Sequence, residues 1–169
     1  MKAKVIAIVG PTASGKTSMS IELAKQIDSE IVSADSRLVY KGFDVASAKP
    51  TIEERQGIPH YLIDIVEPEI DYSAGNYYDD AKQTIYEILA KGKTPIIVGG
   101  TGLYFKILLE NYNLPRVEAN YELREQLNLR EKDDLLEELK QLDQITYERL
   151  FDSNKRRIVR ALEIIKVLG

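Results

Sequence analysis

Gly10-Pro11-Thr12-Ala13-Ser14-Gly15-Lys16-Thr17 fits the spacing G-x-x-x-x-G-K-[ST] at every fixed position. It follows an apolar run, Val5 to Val9, and opens a stretch of helical period, Lys16 to Gln26. A strand that turns through glycines into a helix is the context in which this spacing makes a phosphate-binding loop. Backbone N–H groups then close around phosphate oxygens and the helix N-terminus adds partial positive charge. Lys16 would reach the distal phosphates and Thr17 would offer its hydroxyl to Mg²⁺. Phosphate or diphosphate binding is the first expectation, and a parallel sheet behind the loop is the second.

The rest of the first two thirds agrees with a parallel sheet. Short apolar runs at Glu30 to Ser33, Tyr61 to Ile65 and Pro95 to Val98 alternate with a helical segment, Asn76 to Lys91, an α/β signature. Gly42 to Pro59 reads as a long loop with one helical turn. Beyond Pro115 the β-branched runs stop, and leucines recur at three- and four-residue spacing between charges. Helices are expected near Tyr121 to Leu129, Asp133 to Leu142, Ile145 to Leu150 and Lys155 to Leu168. The expected fold is α/β: a P-loop NTPase-like parallel sheet flanked by helices, with a helical C-terminal third. The expected division is 1–115 for the P-loop core and 116–169 for a helical segment packing on it, as a single domain overall.

Composition narrows the chemistry. No cysteine and one histidine, His60, in 169 residues exclude thiolate zinc sites, cysteine nucleophiles and multi-histidine metal centres. A net charge of −4 excludes a globally basic nucleic-acid coat, so any RNA contact needs a local patch. No apolar run approaches the roughly 20 residues that cross a bilayer, and Val5 to Val9 ends too soon for a signal peptide. A cytoplasmic chain without a membrane partner is expected.

Asp35 stands just beyond a candidate strand, at the carboxyl end where open α/β sheets place their ligand crevice. A carboxylate there holds Mg²⁺ through water, takes a proton from a nucleophile, or caps the next turn. A second glycine-rich turn, Val98-Gly99-Gly100-Thr101-Gly102, ends the last candidate strand and presents the Thr101 hydroxyl. Lys155, Arg156, Arg157 and Arg160 lie in a stretch, Ser153 to Leu162, without an acidic residue. On a helix Arg156 and Arg160 are one turn apart with Arg157 beside them, so three guanidinium groups would line a phosphate-binding face.

With these motifs stand Ser33-Ala34-Asp35-Ser36, Val39-Tyr40-Lys41-Gly42, Ala48-Lys49-Pro50, Pro59-His60, Leu62-Ile63-Asp64-Ile65, Tyr72-Ser73-Ala74, Gly102-Leu103-Tyr104 and Arg160-Ala161-Leu162-Glu163. Together they resemble the tRNA dimethylallyltransferases, also called tRNA isopentenyltransferases. The resemblance spans nearly the whole chain and implies a shortened form, without the C-terminal part and the inserted helical domain. It implies transfer of a dimethylallyl group from dimethylallyl diphosphate to N6 of adenosine 37 in tRNA. Residues 10–17 (Gly10, Pro11, Thr12, Ala13, Ser14, Gly15, Lys16 and Thr17) would then grip the diphosphate. Asp35 would be the general base, with Thr101 and Lys16 beside it as catalytic residues. Asp35, Ser36, Arg37, Leu38, Thr101, Arg124, Arg156, Arg157 and Arg160 would contact the tRNA. The implied cofactor is Mg²⁺ on Thr17, the implied partners are the diphosphate and an anticodon stem-loop, and the expected state is a monomer. Three rivals share the motifs: an adenylate dimethylallyltransferase acting on free AMP, ADP or ATP, a P-loop small-molecule kinase, and an RNA-binding domain without chemistry.

Overall fold

The computed structural model describes residues 4–44, 49–110, 112, 114, 115 and 117–169; Ala48, quoted above with Lys49-Pro50, lies outside them. The chain divides into two compact units, Met1–Leu114 and Pro115–Gly169.

In the first unit four strands, β1 (Ile6–Val9), β2 (Ile31–Ser33), β3 (His60–Tyr61) and β4 (Ile96–Gly99), pair in the order β1-β4-β2-β3. Every pairing is parallel. Parallel neighbours need crossovers, which α1 (Lys16–Gln26) and α2 (Ala74–Ala90) supply, with α3 (Gly102–Leu109) after β4. Strand periodicity sorts the core into two layers. Ile31 and Ile96 pack with Ile21 and Ala24 of α1. Val32 and Ile97 face the other way, against Tyr77, Ala81 and Ile88 of α2 and Tyr104, Phe105 and Ile107 of α3. Tyr77 and Tyr104 stack there, ring centroids 3.6 Å apart and nearly parallel.

Two features of this unit differ from the expected elements. The strand expected over Tyr61 to Ile65 ends at Tyr61, because Leu62 and Asp64 adopt left-handed backbone with φ of 62° and 57°. The chain beyond turns to the segment after β2: the N–H groups of Asp64 and Ile65 donate to the carbonyls of Leu38 and Val39 at 3.0 and 2.9 Å. The nearly buried Lys49 ammonium fixes this turn by pairing with Asp64 and with Asp44. Helix α3 has no counterpart among the expected elements. Its sequence GLYFKILL is short and apolar but for Lys106, and periodicity cannot assign such a run. Helix α2 begins at Ala74, two residues before the expected start, because Ser73 and Asn76 form a reciprocal capping box.

Among its described residues the second unit holds four helices and no strand: α4 (Tyr121–Asn128), α5 (Lys132–Leu142), α6 (Gln144–Leu150) and α7 (Lys155–Leu168). Its core is the leucine pattern of the sequence, with Leu127, Leu135 and Leu139 packed on Ile158, Val159 and Leu162. Asn120, Asp143 and Asn154 cap the starts of α4, α6 and α7, each accepting a backbone N–H three residues on. This side-chain chemistry sets where the helices start.

Candidate functional site

The loop between β1 and α1 turns through two left-handed residues, Ala13 at φ 62° and Gly15 at φ 79°. Gly15 is the N-cap of α1 and no side chain caps the helix, so its first N–H groups are left for a ligand. The Lys16 ammonium donates to the Pro11 carbonyl and reaches the Ser14 hydroxyl at 3.4 Å. The loop itself therefore holds the cation over its own concavity.

Across the sheet, the turn after β2 carries Asp35. One carboxylate oxygen accepts the Arg37 N–H at 2.9 Å, so the turn-capping role and the outward-facing role coexist. Thr101 joins this turn to the one after β4. Its N–H donates to the Ala34 carbonyl at 3.1 Å, and its hydroxyl accepts the Ser36 N–H at 3.0 Å. The Gly99 backbone lies so close to Ala34 that a Cβ at this position would collide with the Ala34 carbonyl. That approach needs glycine and brings the two turns together.

One cleft opens onto all of this. It is lined by Thr12, Ala13, Lys16, Thr17 and Ser20 of the loop and α1, by Asp35, Gly99 and Gly100 of the turns after β2 and β4, and by Leu38, Pro50 and Ile63. Ile31, Ser33, His60 and Val98 also line it. Register explains why: Ile31 is beside His60, and Ser33 beside Val98, so all four share the sheet face that α1 covers. Arg37 and Ser36 are exposed, while Leu38 is half-buried in the cleft side.

The remaining tRNA-contact residues expected from the sequence belong to the second unit, where the structure gives them two different settings. Arg156 and Arg157 are exposed in the first turn of α7. Arg124 and Arg160 instead converge on Glu163, which is fully buried. Arg124 Nε donates to one Glu163 oxygen at 2.9 Å and Arg160 Nη1 to the other at 2.5 Å. The Asn120 N–H adds a third bond at 2.6 Å, and Arg160 Nη2 donates to the Val117 carbonyl at 2.8 Å. Burial opposes the charge on Glu163, but these donors outweigh it and hold its pKa below the ordinary glutamate value. The expected row of three outward guanidinium groups is thus reduced to two, because Arg160 is drawn inward by a carboxylate one turn further along its helix.

Compared with known proteins, residues 38–169 match the family model described as IPP transferase. The chain belongs to the IPP transferase family. Among its relatives are tRNA dimethylallyltransferases of Thermomicrobium roseum and Pediococcus pentosaceus, each 47% identical over 98% of this chain. The chain covers 51% and 55% of those proteins, about half their length. A solved eukaryotic dimethylallyltransferase acting on tRNA superposes with a TM-score of 0.83 at 30% identity, covering 96% of this chain and 41% of that one. The full-length tRNA isopentenylpyrophosphate transferase of Bacillus halodurans gives 0.66 at 42% identity, covering 99% and 57%.

In this IPP transferase chain, the fold gives three side chains settings that local sequence does not reveal. Ser33 and His60 lie in quoted motifs, but only the β2–β3 register shows that they share the cleft. Glu163 closes the Arg160-Ala161-Leu162-Glu163 motif, and only the fold shows it buried beneath Arg124. For a metal, no group of three His, Cys, Asp or Glu side chains gathers anywhere among the described residues. A divalent cation held mainly by diphosphate oxygens and water, with the Thr17 hydroxyl as one ligand, fits such a donor set. No helix among the described residues is long and apolar enough to cross a membrane.

Proposed function

We propose that this chain is the catalytic core of a tRNA dimethylallyltransferase, moving a five-carbon allylic group from dimethylallyl diphosphate to N6 of adenosine 37. The observation that carries the reading is that the P-loop and Asp35 line one cleft, which puts an anion-binding loop and a carboxylate able to take a proton around the same space.

The chemistry follows from those positions. The P-loop N–H groups and Lys16 hold the diphosphate and stabilise its charge as it leaves. Mg²⁺, when bound through Thr17, adds further charge neutralisation there. As N6 attacks the allylic carbon, the carbon–oxygen bond breaks, its electron pair stays on the diphosphate, and Asp35 accepts the N6 proton. The adenine must leave its stack to reach the cleft. Ser36, Arg37, Leu38 and Thr101 border the route it would take, and Arg156 and Arg157, exposed on α7, supply phosphate contacts on the RNA, while Arg124 and Arg160 stay on Glu163. The partners are then dimethylallyl diphosphate and an anticodon stem-loop, met by a monomer in the cytoplasm.

The test incubates the chain with Mg²⁺, dimethylallyl diphosphate and either an anticodon stem-loop RNA or AMP, and weighs the products. A gain of one five-carbon unit on the RNA, lost when adenosine 37 is replaced, supports the reading. A gain on AMP alone moves the chain to the adenylate dimethylallyltransferases in place of the tRNA class. Phosphoryl transfer from ATP would make it a kinase.

A further inference from the structure

Lys49 stands in a motif, Ala48-Lys49-Pro50, that the chemistry above leaves without a role. Its side chain is only 5% exposed, and an ammonium buried to that degree needs both its charge and its three N–H donors answered. All three are used. They go to an Asp44 carboxylate oxygen at 2.6 Å, to an Asp64 carboxylate oxygen, and to the Tyr40 carbonyl at 3.3 Å. Burial opposes the charge, but the two carboxylates outweigh it and raise the Lys49 pKa.

Each end of this network lies beside a residue of the cleft. Leu38 is two residues before Tyr40, Ile63 directly precedes Asp64, and Pro50 follows Lys49 itself. These three are the apolar cleft residues that neither the P-loop nor a strand carries, so no sheet register fixes them. Ile63 depends on the network most. Leu62 and Asp64, on either side of it, hold left-handed backbone at φ 62° and 57°, a conformation that side-chain-bearing residues keep only where their surroundings hold them in it. What holds Asp64 is its ion pair with Lys49 and the bond from its N–H to the Leu38 carbonyl at 3.0 Å. The turn that carries Asp35 runs on into Leu38, so the same network reaches the carboxylate of the cleft.

We propose that Lys49 is a positioning residue of the cleft: its ammonium locks Leu38, Pro50 and Ile63 in place and thereby sets the apolar lining beside which Asp35 and the P-loop meet the substrates. The consequence for transfer rests on the function proposed above. Among the described residues no P-loop side chain bonds to Lys49, so the lock governs transfer and leaves anion binding on the loop alone.

The test uses the absence of cysteine from the chain. Lys49→Cys introduces a single thiol, which is alkylated in urea before refolding, beside unaltered chain taken through the same cycle. Bromoethylamine restores an ammonium at nearly the length of lysine, and 1-bromopropane gives the same length without charge. Lys49→Met is a neutral variant that needs no alkylation. Inorganic diphosphate, followed by isothermal titration, should bind all of them alike. Transfer from dimethylallyl diphosphate to an anticodon stem-loop, per diphosphate-binding site, should fall at least about tenfold with the propyl and methionine side chains and return with the aminoethyl one. Amide exchange reads the lock without turnover: the Asp64 and Ile65 N–H groups should exchange at least about tenfold faster in the neutral forms and recover in the aminoethyl form. A neutral side chain that keeps the transfer rate, a loss that the aminoethyl form does not restore, or amides that exchange as before would each overturn the proposal. If the unaltered chain binds diphosphate and makes no product, the transfer reading fails, and exchange at the two amides alone decides for or against the lock.

Discussion

A methyl group at position 99 has no space, since Gly99 lies against the Ala34 carbonyl. Gly99→Ala should therefore force β4 and β2 apart at their carboxyl ends and lower stability by about 3 kcal/mol, measured by urea unfolding. Asp35 sits beyond that contact. Asp35→Asn keeps the shape and removes the base, so transfer should slow on the order of a thousandfold, while titration still detects diphosphate on the loop. Residues such as Lys16, Thr17 and Asp35 were legible in the sequence because their chemistry depends on local spacing: a loop of fixed length, and a carboxylate just past a strand. Ser33 and His60 were not, because nothing local distinguishes a serine in an apolar run. They come to one sheet face because His60 pairs in register with Ile31, two residues before Ser33, across segments far apart in the chain.

At the scale of elements, Glu163 organises the start of the second unit. It ties α7 to Asn120 and Arg124 at the start of α4. Glu163→Ala would leave Asn120 and the two guanidinium groups without their shared acceptor, and about 3 kcal/mol of stability should be lost, read by chemical denaturation. The pH dependence has a definite sign. The folded Glu163 pKa is below its ordinary 4.5, so the unfolded chain takes up the proton first. The stabilisation is full above that value and is lost as pH falls through the folded pKa; acid unfolding of Glu163→Gln should lack this component. The amphipathic helices of the second unit were readable because charge and leucine alternate at helical period. Helix α3 was not, since its eight residues carry one charge, Lys106, and too little polar contrast to show a period, and the strand at Tyr61 ends early because Lys49, distant in sequence, pairs with Asp64 in a turn.

For the whole molecule, a net charge of −4 means that RNA affinity depends on where cations are free. Arg156 and Arg157 are exposed, whereas Arg124 and Arg160 share Glu163. Replacing Arg156 and Arg157 by alanine should weaken binding to an anticodon stem-loop and flatten the slope of log K against log salt by about 2, measured by fluorescence anisotropy across a salt series. The same double substitution leaves the Glu163 network intact, so the thermal midpoint should stay within a few degrees.

The strand order gives the first unit a built-in gauge. Placing β4 between β1 and β2 separates the anion loop from Asp35 by two strand spacings, about 9.5 Å. Backbone hydrogen bonds between the strands hold that interval. The side chains of the cleft thus work across an interval laid down by the order in which the strands pair, before any of them takes part.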